Sequence, residues 1–118
     1  MMTPEFIRIR RKSVIRQETI QDIVNRIVEV ANPTKVFLFG SYAEGTQNED
    51  SDLDILVIQE TEQPAVKRTI PIRLSLWGIG VPVDLLVWTT KEYDHRKDNP
   101  YSVGYQIQKK GKLLYERN

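Results

Sequence analysis

Val36-Phe37-Leu38-Phe39-Gly40-Ser41, followed by Asp52-Leu53-Asp54-Ile55-Leu56-Val57-Ile58, is the stretch that decides the fold. Both apolar runs are short and rich in β-branched or aromatic residues, which predicts two buried strands, over about 35–39 and 53–58. Gly40 ends the first run; lacking a Cβ, it permits a tight turn and lets the backbone come close to a bound group. Ser41 adds a hydroxyl beside exposed amide N–H groups, a combination that suits a phosphate. Side chains alternate along a strand, so Asp52 and Asp54 are expected to project from one face.

Two carboxylates that close repel each other. Unless one is protonated, the pair is stable only with a cation between them, and hard oxygen ligands fit Mg²⁺ shared with substrate phosphates. A third carboxylate stands in Val83-Asp84-Leu85-Leu86-Val87, inside another run of strand character. Aspartate is a poor strand former and costly to bury, so Asp84 reads as a functional neighbour of the first pair rather than a packing residue. Three such groups can hold two metal ions about 4 Å apart, the arrangement that supports in-line displacement at phosphorus.

Working outward, Thr3-Pro4-Glu5 is a helix-start signal, and an N-terminal helical segment is expected over about 3–31. Within it Ile20, Ile23, Val24, Ile27, Val28 and Ala31 form one apolar face that ends before Asn32-Pro33. Tyr42-Ala43-Glu44 is expected to open a short helix, and 47–51 a polar loop. A helix from Pro64 to Trp77 carries Pro71, which predicts a kink or break there. A third strand is expected over about 82–88, with Thr89 and Glu92 spaced as a capping box. A helix over 102–110 ended by Gly111 and a short strand over 112–115 complete the chain. The whole reads as one α/β domain, residues 1–118, with a small mixed sheet flanked by helices and carrying the carboxylates.

Composition narrows the function classes. At 118 residues the chain has room for one core but not for a catalytic domain plus a separate substrate-binding domain, so a partner or second copy is expected to supply the missing wall. Seventeen basic against 16 acidic residues leave a net charge of +1, which does not favour direct nucleic-acid binding. Arg8, Arg10, Arg11, Lys12 and Arg16 form a local basic cluster that reads as a solvated helix face or a docking surface. The absence of cysteine excludes disulfides, thiolate chemistry and cysteine-based zinc sites. With no long apolar segment and no signal-peptide pattern, a soluble cytoplasmic location without a membrane role is expected.

Gly40-Ser41, ten residues, Asp52-Leu53-Asp54 and a later Asp84 on a strand resemble the pattern of the nucleotidyltransferase superfamily that shares its fold with DNA polymerase β. The resemblance is closest to its minimal bacterial members, the MNT antitoxins of HEPN–MNT toxin–antitoxin pairs. It extends from about Lys35 to Tyr115 and implies a polymerase-β-like fold. It further implies that Gly40 and Ser41 grip the triphosphate of ATP while Asp52, Asp54 and Asp84 hold two Mg²⁺ ions. For proteins of this type it implies transfer of AMP to a tyrosine hydroxyl of a HEPN ribonuclease toxin. One position departs from the pattern: the family often carries a basic residue where this chain has Glu44, and an acidic side chain there is expected to repel a triphosphate.

Other readings stay open on the sequence. The motif could belong to an inactive relative that neutralises its partner by occlusion, or to an enzyme that modifies a small molecule such as an aminoglycoside. Asp84 could be a strand-edge residue paired with a cation. His95, in a charged stretch, reads as exposed, and Trp77, Trp88, Phe37 and Phe39 as core or interface packing. Tyr42 reads equally as a turn-packing residue or a neighbour of the triphosphate.

Overall fold

The computed structural model describes residues 14–118. The first helix among the described residues, α1, spans Gln17–Ala31 and buries Ile20, Ile23, Val24, Ile27 and Ala31, the apolar face that their spacing predicts. Asn32 ends it in the left-handed region, φ 45°, with its N–H donating to the Val28 carbonyl. Of the helical segment expected over 3–31, the described part is helical from Gln17. Arg16 is extended and Val14 to Arg16 are not helical; the residues before them, including Arg8, Arg10, Arg11 and Lys12, lie outside the described residues.

Four strands follow: β1 Lys35–Phe39, β2 Leu53–Ile58, β3 Val83–Trp88 and β4 Lys112–Glu116. They lie in the order β3-β2-β1-β4; β1 is antiparallel to both its neighbours, and β2 is parallel to β3. The parallel pair requires a crossover. It is made by α3, Ala65–Ser75, while α2, Ser41–Glu44, lies between β1 and β2, and α4, Thr90–Arg96, and α5, Val103–Lys110, between β3 and β4. The result is the mixed α/β sheet flanked by helices that the sequence predicts.

Alternation along the strands divides the core in two. Val36, Leu38, Leu53, Ile55, Val57, Leu85 and Val87 pack under α1 and α3 with Ile72 and Leu76. On the opposite face Leu56 and Ile58 pack with Ile107 of α5, joined by the half-buried Phe37, Phe39, Leu86, Trp88 and Tyr93. Asp54 and Asp84 share strand parity with Leu56 and Leu86, so they belong to this second face, at its open end.

Two sequence expectations narrow on α3 and its exit. The helix runs through Pro71 without a break. Pro71 and Lys67, whose carbonyl the ring crowds, both lie on the exposed side, where water replaces the lost backbone hydrogen bond. Trp77 is 85% exposed on the turn after α3 and belongs to no part of the core, which leaves the interface half of its expectation; Ile79 and Val81 beyond it pack on the core again. Trp88, Phe37 and Phe39 do pack as expected.

Arg68 locks the crossover to the sheet. Its guanidinium takes both oxygens of Glu92, at 2.7 and 3.2 Å, and donates to the carbonyls of Gln63 and Val87. Glu92 also closes the predicted capping box of α4, accepting from the Thr89 N–H while its own N–H donates to Thr89 Oγ1. The bond from Arg68 and then that from Thr89 hold the Glu92 carboxyl below its usual range. With Arg68 only 9% exposed, Arg68→Met is expected to lower stability by about 2 kcal/mol at neutral pH. A depressed carboxylate contributes stability above its unfolded value and loses it as pH falls through the folded value. Urea denaturation should therefore show the difference between wild type and variant shrinking in acid; a constant difference would assign the loss to packing alone.

Candidate active site

The end of β1 and the start of β2 are opposite each other in register, Phe39 beside Asp54, so Gly40 emerges directly against the Asp54 side chain. Gly40 has φ 73° and ψ −154°, a conformation open to glycine alone. A Cβ built there would lie 2.1 Å from Asp54 Oδ2. Glycine is thus required twice at this position, for the turn and for the carboxylate packed on it. The turn delivers Ser41 as the first residue of α2, where the Ala43 and Glu44 amides donate to the Gly40 carbonyl and those of Ser41 and Tyr42 precede the first helical hydrogen bond. Tyr42 and Ala43 of α2 are buried in the α1 side of the core, and the Tyr42 hydroxyl accepts from the Ile15 N–H, which settles its role as packing of the turn.

On the other side of Asp54, parallel pairing sets it level with Asp84 of β3. The Leu53 N–H donates to the Pro82 carbonyl at 3.0 Å, pinning the two strand starts together. The carboxyl groups of Asp54 and Asp84 are close enough to act on each other's charge. Burial first, then the negative charge of Asp84, then that of Asp52, push the Asp54 carboxyl above its ordinary value. Asp52 itself is exposed and precedes the strand, on a loop ordered by Asn48, whose side chain accepts from the Asp50 N–H at 2.8 Å. Asp84 is exposed too, so the cost of burying a charge does not apply to it.

The structure therefore brings Gly40, Asp54 and Asp84 into contact, with Ser41 next in the chain and Asp52 near enough for its charge to be felt. Among the described residues no three acidic or imidazole groups are gathered tightly enough to hold an ion as they stand. The donor set nevertheless fits a hard divalent cation: all oxygens, one of them in a carboxyl whose pKa burial and neighbouring charge raise and a bound cation would lower. Asp52, exposed and two residues before Asp54, is the further oxygen donor that could complete the shell.

Sequence reading missed one residue. Glu44 was expected to repel a triphosphate, but Lys110 Nζ lies 3.8 Å from its carboxylate and offsets that charge. The pair is exposed, so its own stabilising effect is small. What it does is place a cation, from the far end of α5, beside the helix that follows Gly40. No local pattern could signal it, since the two residues meet only through packing of α5 against the sheet. His95 is exposed, as expected.

Comparison with known proteins follows the same geometry. The nucleotidyltransferase domain family matches residues 18–105. A candidate protein adenylyltransferase of Methanocaldococcus jannaschii is 30% identical over 81 residues, covering 69% of this chain and 77% of that protein. A candidate nucleotidyltransferase from Sulfolobus solfataricus superposes with a TM-score of 0.62 at 23% identity, over 85% of this chain and 79% of the other. The MNT antitoxin complex with a tri-AMPylated HEPN toxin of Shewanella oneidensis gives 0.55 at 19% identity, over 87% and 74%. These two structures share the fold. Because the family match runs from α1 into α5, across β1, β2, β3 and the turn that carries Gly40, this chain belongs to the nucleotidyltransferase domain family and is a nucleotidyltransferase.

Proposed function

We propose that this chain transfers AMP from ATP to a hydroxyl of a protein, with a tyrosine of a HEPN-family ribonuclease toxin as the acceptor. The observation that carries the reading is the contact of Asp54 and Asp84 at a glycine-only turn, an acidic pair beside a place where backbone amides can face phosphate. Similarity to a protein adenylyltransferase supports protein as the acceptor class, and the fold shared with an MNT antitoxin supports the HEPN partner.

Asp52, Asp54 and Asp84 would hold Mg²⁺, which when bound neutralises phosphate charge and lowers the pKa of an incoming hydroxyl. Ser41 and the first amides of α2 would take the oxygens of the triphosphate. The acceptor oxygen attacks the α-phosphorus, forming a new O–P bond as the bond to the β-phosphate oxygen breaks and pyrophosphate leaves. Asp84, exposed and level with Asp54, accepts the hydroxyl proton. Catalysis here rests on position and charge, with no covalent enzyme intermediate.

Incubation of the chain with a co-purified HEPN protein and radiolabelled ATP tests this. Label is expected to reach the partner from α-labelled but not γ-labelled ATP, to vanish with EDTA and to return with Mg²⁺. Transfer from γ-labelled ATP would make the enzyme a kinase, and an unlabelled but inhibited partner would leave occlusion as the mechanism.

A further inference from the structure

The outer side of α3 is more apolar than its inner side. Ile72 is the one residue of the helix that is buried, whereas Val66, Ile70 and Leu74 are 80, 51 and 69% exposed. Spaced four residues apart, these three lie along one side of the helix as a ridge, and Trp77, 85% exposed, stands on the turn at its end. An ordinary surface helix has the reverse pattern, and neighbouring exposed apolar side chains of this kind mark interaction surfaces. Beside the ridge, where the end of α1 meets α3, lies a groove of about 340 Å³ lined by Val30, Lys67, Ile70 and Pro71.

Charge says what covers this face. Between Glu62 and Asp84 the sequence contains no acidic residue but carries Lys67, Arg68 and Arg73. Arg68 is consumed by Glu92; Lys67 and Arg73 are exposed and have no ion-pair partner among the described residues. A second copy of the chain packed on the ridge would set these cations against their own equivalents. Residues 1–13 of the same chain are basic as well, with four cations against Glu5. Both would pay a repulsion that an acidic partner turns into attraction.

We infer that the α3 ridge is a docking surface for a different protein chain, one that presents a helix with an apolar stripe flanked by carboxylates. The groove beside the ridge takes a projecting side chain of that helix, which a flat lipid surface would not supply. The ridge lies on the side of the sheet away from Asp54 and Asp84. A chain docked there leaves the carboxylates open, so capture of the partner and chemistry are separate functions of the two faces.

The test uses the full-length chain and a synthetic helical peptide with leucines at the ridge spacing and glutamates flanking them, beside a twin carrying lysines instead. Trp77 is the reporter. The acidic peptide is expected to shift its emission to the blue and to bind at least tenfold more tightly than the basic twin at low salt. Leu74→Glu is expected to lower that affinity at least tenfold with ATP binding unchanged, and Trp77→Phe to remove the signal. Lys67→Glu combined with Arg73→Glu should reverse the preference between the two peptides. Equal binding of both peptides, or none, overturns the inference. So does a concentration-dependent blue shift of the chain alone, which would make the occupant a second copy. A shift with anionic phospholipid vesicles but not with the acidic peptide overturns it in favour of a membrane. Because ATP binding is measured alongside, loss of docking is distinguishable from failure of the transferase reading.

Discussion

Asp54→Asn is expected to lose at least about a hundredfold in nucleotidyl transfer and yet to unfold at a higher denaturant concentration than the wild-type chain. The two effects have one cause. Asp54 is partly buried between Gly40 and Asp84, and burial together with the charges of Asp84 and Asp52 raises its carboxyl pKa. In the window between its unfolded value and that raised value, the folded chain binds more protons than the unfolded one. Its contribution to stability is therefore complete below the unfolded value and lost as pH rises through the folded value. At neutral pH the site is a place of stored repulsion, and the amide, equal in size and neutral, removes it. Screening on the solvent side keeps the gain to about 1 kcal/mol. Urea titrations at pH 7 and near pH 4 measure it: the gain should shrink in acid. Mg²⁺ should raise the melting temperature of wild type and leave that of Asp54→Asn unmoved. A variant less stable than wild type at neutral pH would show that the carboxylate serves the fold, and full transfer activity would remove it from the site.

Gly40→Ala is expected to abolish transfer and to destabilise the chain by about 3 kcal/mol. A methyl at this position meets Asp54 Oδ2 at 2.1 Å and Cγ at 3.0 Å, and the backbone stands at φ 73° and ψ −154°. Either the Asp54 side chain moves off Asp84 or the turn opens and carries Ser41 away; both dismantle the same site. A double-mutant cycle separates the two causes. Adding Asp54→Ala clears the collision but not the strained φ, so the pair should recover part of the lost stability and none of the activity. Full recovery would assign the whole effect to the collision, and none would assign it to the backbone.

Much of this architecture was legible in the sequence because it is decided by neighbouring residues. The apolar spacing of Ile20, Ile23, Val24 and Ile27, the Thr89 and Glu92 capping box, the glycine at the end of β1 and the bounds of β1 and β2 are all local. Where a local rule failed, solvent had changed its consequence. Pro71 sits on an exposed side where water satisfies what the ring removes, and Trp77 stands on the turn after α3, between Leu76 and Ile79, which do pack. Aromatic residues are usually buried because burying them is favourable, but the bias says nothing about where a second chain completes the burial.

By itself the sequence determined which residues turn, which pack and which carry charge: strand alternation, the Gly40-Ser41 corner, and aspartates at 52, 54 and 84 in strand-like runs. The tertiary structure alone decided that β3 lies parallel to β2 with Asp84 level with Asp54, that Lys110 meets Glu44, and that the apolar ridge of α3 faces outward. The physical reason is range. Turns and helix ends are governed by torsions and hydrogen bonds within a few residues, whereas strand order, carboxylate crowding and burial depend on surfaces that meet only when distant segments are packed together.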